Sequence, residues 1–167
     1  AIISIVFVSL LVVALGTILY NVEEYRSRHR EDLDEKMNAI SEEIDMRLED
    51  VETITPELKD WMALELVKLS NIFKTDINIY GVEGKLLVSS RPEVFAKGLV
   101  SDKISMPAYF ELFENFQTNY FQPEKIGNLN YLSAYEPIIN NRGEYLGFIN
   151  LPYFTRQDKY NQEISTF

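Results

Sequence analysis

Polar residues recur at matching strand parities along the second half of the chain: Asn78 and Tyr80, then Ser89, then Tyr131, Ser133 and Tyr135, and finally Asn150. If these share the sheet face beneath the segment 90–118, they form a ring of hydrogen-bond donors and acceptors inside an aromatic-rich wall. Pockets for small ligands have that composition. Arg91 enters the same region, and its planar fork suits bidentate capture of a carboxylate. An unpaired buried Asn amide costs about 1–3 kcal/mol, so Asn150 requires a partner in protein, water or ligand. The competing reading is a core satisfied internally, with tyrosine hydroxyls reaching the surface and Arg91 bonding nearby carbonyls. Both stay open at this level.

Other chemistries find little support. His29 is the single histidine and lies in a charged helical stretch. There is no Gly-rich phosphate loop, no Gly-x-Ser-x-Gly elbow and no His-x-x-x-His pair. The acidic pairs Glu42-Glu43 and Glu49-Asp50 belong on the solvated side of a helix. With no Cys the chain has neither disulfides nor thiolate zinc ligands. A net charge of −10 argues against nucleic acid, which requires a basic face. The reading is therefore a non-enzymatic chain with no metal site and no cofactor.

The elements that must position the polar set follow from punctuation and periodicity. The stretch YLSAYEPIINNRGEYLGFINLPY reads as a hairpin around Asn140-Asn141-Arg142-Gly143. Its second strand shows apolar residues at both parities, with Tyr145, Gly147, Ile149 and Leu151 on one side and Leu146, Phe148 and Asn150 on the other. Both faces of the sheet must then be covered. Further strands are expected at 76–80, 85–89 and 120–126, the hairpin strands at 129–139 and 144–153, and short helices at 92–97 and 106–117, the latter opened by Ser105. Pro123 and Pro137 belong at an edge, bulge or strand end. Upstream, Thr55-Pro56 marks a helix start running to Phe73, with Trp61 most readily placed in the core. Leu33, Met37, Ile40, Ile44, Leu48 and Val51 form one apolar stripe at helical spacing over 21–54. The fold class is α+β: a five-stranded antiparallel sheet, long N-terminal helices on one face and a short helical cap on the other.

Residues 1–20, AIISIVFVSLLVVALGTILY, carry no charge. As a helix they span about 30 Å, the thickness of a bilayer's hydrocarbon core. A transmembrane helix is expected, with the lipid bilayer as partner and no break before the 21–54 helix. The chain begins within this run without a Met and reads as part of a longer protein. Arg26, Arg28, Arg30 and Lys36, taken alone, put the following side in the cytoplasm.

The element order resembles the single Cache domain, the PAS-like extracytoplasmic sensor module of bacterial receptors. DINIYGVEGKLLVSSRPEVFAKGL, EKIGNLNYLSAYEPI and GFINLPYFTRQ resemble the sensor region of Bacteroidetes membrane histidine kinases. The resemblance covers essentially the whole chain. It implies a bacterial inner-membrane protein with residues 55–154 as a periplasmic sensor domain, against the arginine count. It also implies a homodimer, an exit segment at 155–167 leading to a second membrane helix, and kinase domains outside this chain. The aromatic–Arg–Trp–Tyr motif of amino-acid-binding double Cache receptors is not recognisable, so no ligand is named. The expected function is sensing of a small molecule or envelope state. The alternative is a membrane-tethered dimerisation or partner-recruiting module without a small-molecule ligand.

Overall fold

The computed structural model describes residues 2–154, and the expected exit segment 155–167 lies outside them. Helix α1 spans Ile2–Leu48 and α2 spans Pro56–Phe73. Two short helices follow the first hairpin: α3, Pro92–Ala96, and α4, Met106–Tyr109, which runs on into a π-helical turn, Phe110–Glu114. Strands β1 (Asn78–Gly81), β2 (Leu86–Ser89), β3 (Tyr120–Ile126), β4 (Leu129–Ile139) and β5 (Tyr145–Tyr153) form one antiparallel sheet in the order β2-β1-β5-β4-β3. This is the PAS/Cache-like α+β architecture expected from the sequence.

The chain divides between residues 34 and 35 into two units. The first is helical, and its apolar side chains from Ile3 to Leu19 are exposed. By length and composition the helix that contains them can cross a membrane.

In the second unit, α1 buries Met37, Ile40, Ile44 and Leu48, the apolar stripe of its sequence. The helix stops at Leu48, short of the expected 54. The physical reason lies in the 140–143 turn. There the Asn141 amide donates to the Glu49 carbonyl at 2.9 Å and the Asn140 side chain donates to the Val51 carbonyl at 3.0 Å. Partners distant in sequence thus take carbonyls that a further helical turn would have used. Helix α2 begins where Thr55 and Pro56 predict, with Thr55 Oγ1 accepting from the Leu58 amide at 3.3 Å. Met62, Leu66 and Leu69 form its buried side. Trp61 is only half-buried, its ring covered by the Arg47 guanidinium at 5.8 Å.

Both faces of the sheet are covered. On the helix side, Ser41 of α1 donates to Glu136 of β4 at 2.9 Å, and Lys36 lies over the Tyr153 ring of β5 at 4.8 Å. On the cap side, Tyr80, Tyr135 and Phe148 pack with Ile104, Ala108 and Leu112. Gly147 has no room for a side chain: a Cβ there would lie 2.3 Å from the Tyr80 carbonyl oxygen.

Three local expectations are corrected. The pairing of β4 with β5 shifts register, Tyr145 opposing Ile139 and Gly147 opposing Ile138. Leu146 is the extra residue of a bulge, which breaks the alternation. Tyr145 therefore joins the cap side: its hydroxyl donates to the Leu112 carbonyl at 3.3 Å and its ring meets Phe113 edge-on at 5.3 Å. The helix expected at 106–117 is instead one α-turn followed by the π-helical turn. Ser105 precedes it without a side-chain cap bond, because its Oγ accepts from Gln122 at 2.6 Å. Pro123 sits on the edge strand β3. Pro137 lies beyond Tyr135, where β3 stops pairing with β4.

Candidate ligand cleft

Strand register decides which polar residues meet. Asn78 of β1 stands opposite both Ser89 of β2 and Asn150 of β5, and Asn150 stands opposite Tyr135 of β4. Ser89 donates to Asn78 Oδ1 at 2.7 Å, Asn78 Nδ2 to Asn150 Oδ1 at 3.0 Å, and Asn150 Nδ2 to Ser133 Oγ at 2.7 Å. Asn150 Nδ2 also reaches the Ala134 carbonyl at 3.2 Å, and the Arg91 amide donates to Ser89 Oγ at 2.9 Å. The result is a buried polar row across four strands, the Asn amides 6% and 3% exposed. The partner that Asn150 required is protein.

Beside this row, β3 contributes two groups that the sequence reading did not single out. Gln122 and Glu124 stand opposite Ser133 and Tyr131. Glu124 Oε1 accepts from the Tyr135 hydroxyl and from Gln122 Nε2, the latter at 2.6 Å. Burial above all, and then the charge of Glu124, push the hydroxyls of Tyr80, Tyr131 and Tyr135 well above the ordinary phenol value of 10.0. All three remain protonated donors at neutral pH.

These groups floor a cleft of about 810 Å³ between the sheet and the segment from Arg91 to Ser105. Among the expected site residues, Asn78, Tyr80, Arg91, Tyr131, Tyr135 and Asn150 line it. Ser89 and Ser133 do not line it; they lie buried in the row and hold the two asparagines. Arg91 is turned to its neighbours. It pairs with Asp76 at 3.3 Å and Glu93 at 3.2 Å, and the Asp76 charge is the main reason its guanidinium holds its proton more firmly than usual. The rim carries Lys97, Lys103 and Lys125, with Val94, Phe95 and Leu99 as apolar wall. Asp76 and Glu93 line the cleft too, so its outer part carries both signs, while Glu124 is the carboxylate among the phenols.

The signal for Glu124 was present in strand parity, since Tyr120, Gln122 and Glu124 alternate along 120–126. On an edge strand such alternation reads equally as a solvated face, and only the fold of the cap over it tells the two apart.

No family model matches the chain, and no curated protein matches it. Solved structures do. The sensor domain of the V. cholerae histidine kinase DctB aligns at TM-score 0.50 and 14% identity, over 80% of this chain and 57% of that one. This is the fold of extracellular sensor domains. An extracellular ligand-binding receptor from Desulfohalobium retbaense aligns at TM-score 0.55 and 15% identity, covering 82% and 24%. The ligand-binding domain of the Campylobacter jejuni chemoreceptor Tlp3, solved with 4-methylisoleucine, aligns at 0.51 and 10% identity, covering 79% and 55%. The chain spans little more than half of the DctB domain and about a quarter of the Desulfohalobium receptor.

Proposed function

We propose that this chain is the sensing region of a bacterial membrane histidine kinase of the Bacteroidetes type. Residues 1–20 anchor it in the inner membrane, residues 55–154 form the periplasmic sensor domain, and the working unit is a homodimer. The shared fold with kinase and chemoreceptor sensor domains supports this reading, as does the apolar N-terminal helix. The observation that carries it is the cleft. A half-buried carboxylate beside three protonated phenols, in a cleft that lysines also line, suits a small molecule with a protonated amine at one end and an anionic group at the other. The amine would take Glu124 and the anion the lysines, each charge-assisted. The 4-methylisoleucine held by Tlp3 is a molecule of that kind.

The test is thermal unfolding of the full chain in lipid nanodiscs with β-alanine, a pool of free amino acids, succinate and putrescine. A ligand at 100 times its Kd adds about 2.7 kcal/mol. At least one zwitterion should raise Tm, and Glu124→Gln and Tyr131→Phe should abolish the rise. Stabilisation by none of these, or stabilisation indifferent to Glu124→Gln, sinks the reading. One observation favours the partner-recruiting alternative: α2 exposes Leu64 (76%), Val67 (46%) and Ile72 (62%). If cross-linking through α2 controls output while no compound binds, that alternative replaces the sensor.

A further inference from the structure

Strands β4 and β5 form the longest hairpin of the sheet and join two places that matter. One end carries Tyr131, Tyr135 and Asn150, which line the cleft. The other end is the 140–143 turn, which grips the end of α1 and the connection after it. Asn141 donates its amide to the Glu49 carbonyl at 2.9 Å and its side chain to Asp50 at 2.6 Å. Asn140 donates to the Val51 carbonyl at 3.0 Å, and Arg142 pairs with Glu52. Asn140 is also the centre of the turn itself. Its Oδ1 accepts from the Arg142 and Glu144 amides at 3.0 and 2.9 Å, and its Nδ2 reaches Glu144 at 2.8 Å. No spare bonding capacity remains in that amide.

Other ties from α1 land on the same hairpin: Ser41 on Glu136 of β4, and Lys36 over Tyr153 of β5. The seam between helix and hairpin also holds an unmet group. Asp45 Oδ1 is, among the described residues, the buried side-chain polar atom with no hydrogen-bond partner. It lies in the same groove as Ser41, Glu136, Asn140 and Asn141. Elsewhere the seam is closely packed, with Met37, Ile40, Ile44 and Leu48 at most 3% exposed, so a displacement of the hairpin is felt by α1.

We propose that the 140–143 turn is a clasp coupling the cleft to α1, so that a change at Glu124 and its tyrosines reaches the helix through the β4–β5 hairpin. This rests on the cleft being the sensing site, and it adds the route by which the site acts. From Tyr135 to Asn140 the strand covers about 17 Å at roughly 3.3 Å per residue. Effects at such separation are ordinarily additive, so departure from additivity is the signature of the clasp.

The experiment needs no ligand. Hydrogen exchange is followed by mass spectrometry on the full chain in nanodiscs, for wild type, Glu124→Gln, Asn140→Ala and the double variant. Glu124→Gln should change exchange in the 40–52 peptide by at least threefold. Asn140→Ala should remove that response, so that the double variant matches Asn140→Ala alone. Where Asn140→Ala does not fold, Asn141→Ala combined with Arg142→Ala takes its place, since it spares the bonds inside the turn. An unchanged 40–52 peptide in Glu124→Gln, or a response that persists after the clasp is cut, overturns the proposal. If the exchange response fails in this way while the wild-type protein still gains the ligand-induced stabilisation that Glu124→Gln abolishes, the clasp is wrong and the sensing site stands.

Discussion

The cap side of the sheet carries two polar clusters built from similar residues and separated by one strand register. The row Ser89–Asn78–Asn150–Ser133 is closed: every amide and hydroxyl that could demand a ligand finds protein. The cluster of Tyr80, Tyr131, Tyr135 and Glu124 is open, its donors and its carboxylate fronting a cavity of about 810 Å³. The same parity argument selected most members of both. What separates them is how much of each faces protein alone: Ser89 and Ser133 of the row stay out of the cleft, whereas all four members of the second cluster line it, Tyr135 bonded to Glu124 as it does so. A buried polar side chain is therefore evidence of a network first, and of a binding site only where the network stops.

The sharpest way to break this comparison is to cut the closed row. Asn150→Ala leaves the Asn78 amide and the Ser133 hydroxyl short of a partner in the core. At about 1–3 kcal/mol for each unmet group, urea unfolding should lose about 2–6 kcal/mol. A loss below about 0.5 kcal/mol would show the row to be dispensable. The open cluster should behave in the opposite way. Glu124→Gln keeps an acceptor and a similar shape, so its stability should stay within about 1 kcal/mol of wild type while ligand-induced stabilisation disappears. A large stability loss there would move Glu124 into the closed class.

A third expectation concerns Asp45 on the helix side. Burial raises its pKa above the ordinary 3.8, so the folded state takes up its proton more readily than the unfolded chain. The penalty of the charged form is thus fully present at neutral pH and is relieved as pH falls through the raised value toward 3.8. Asp45→Asn should stabilise the protein at pH 7, and its advantage should shrink as the titration nears about pH 4. Urea midpoints across that range give the sign directly. The smallest effect is alkaline. With Tyr80, Tyr131 and Tyr135 held protonated beyond the ordinary 10.0, folding opposes their ionisation, so stability should begin to fall as pH passes about 10. Ultraviolet titration should show their phenolate signal rising with unfolding and not before it.

Much of the fold was legible in the chain because it depends on local chemistry. The strand ranges 120–126 and 129–139 coincide with β3 and β4, since the Gly127-Asn128 turn separates them. Thr55 and Pro56 open α2 through bonds spanning only three residues. Apolar residues at both parities of 145–151 required two covered faces, because neither set can be left in water at that density. The tertiary structure alone decided the rest. Leu48 ends α1 because groups about ninety residues later bind Glu49 and Val51. Tyr145 changes face because a register shift inserts Leu146. Asn150 is satisfied because Asn78 and Ser133 arrive from other strands, and Glu124 becomes part of a cleft because a cap folds over an edge strand. Periodicity records which side chains leave water; only the packed neighbours determine what each of them meets.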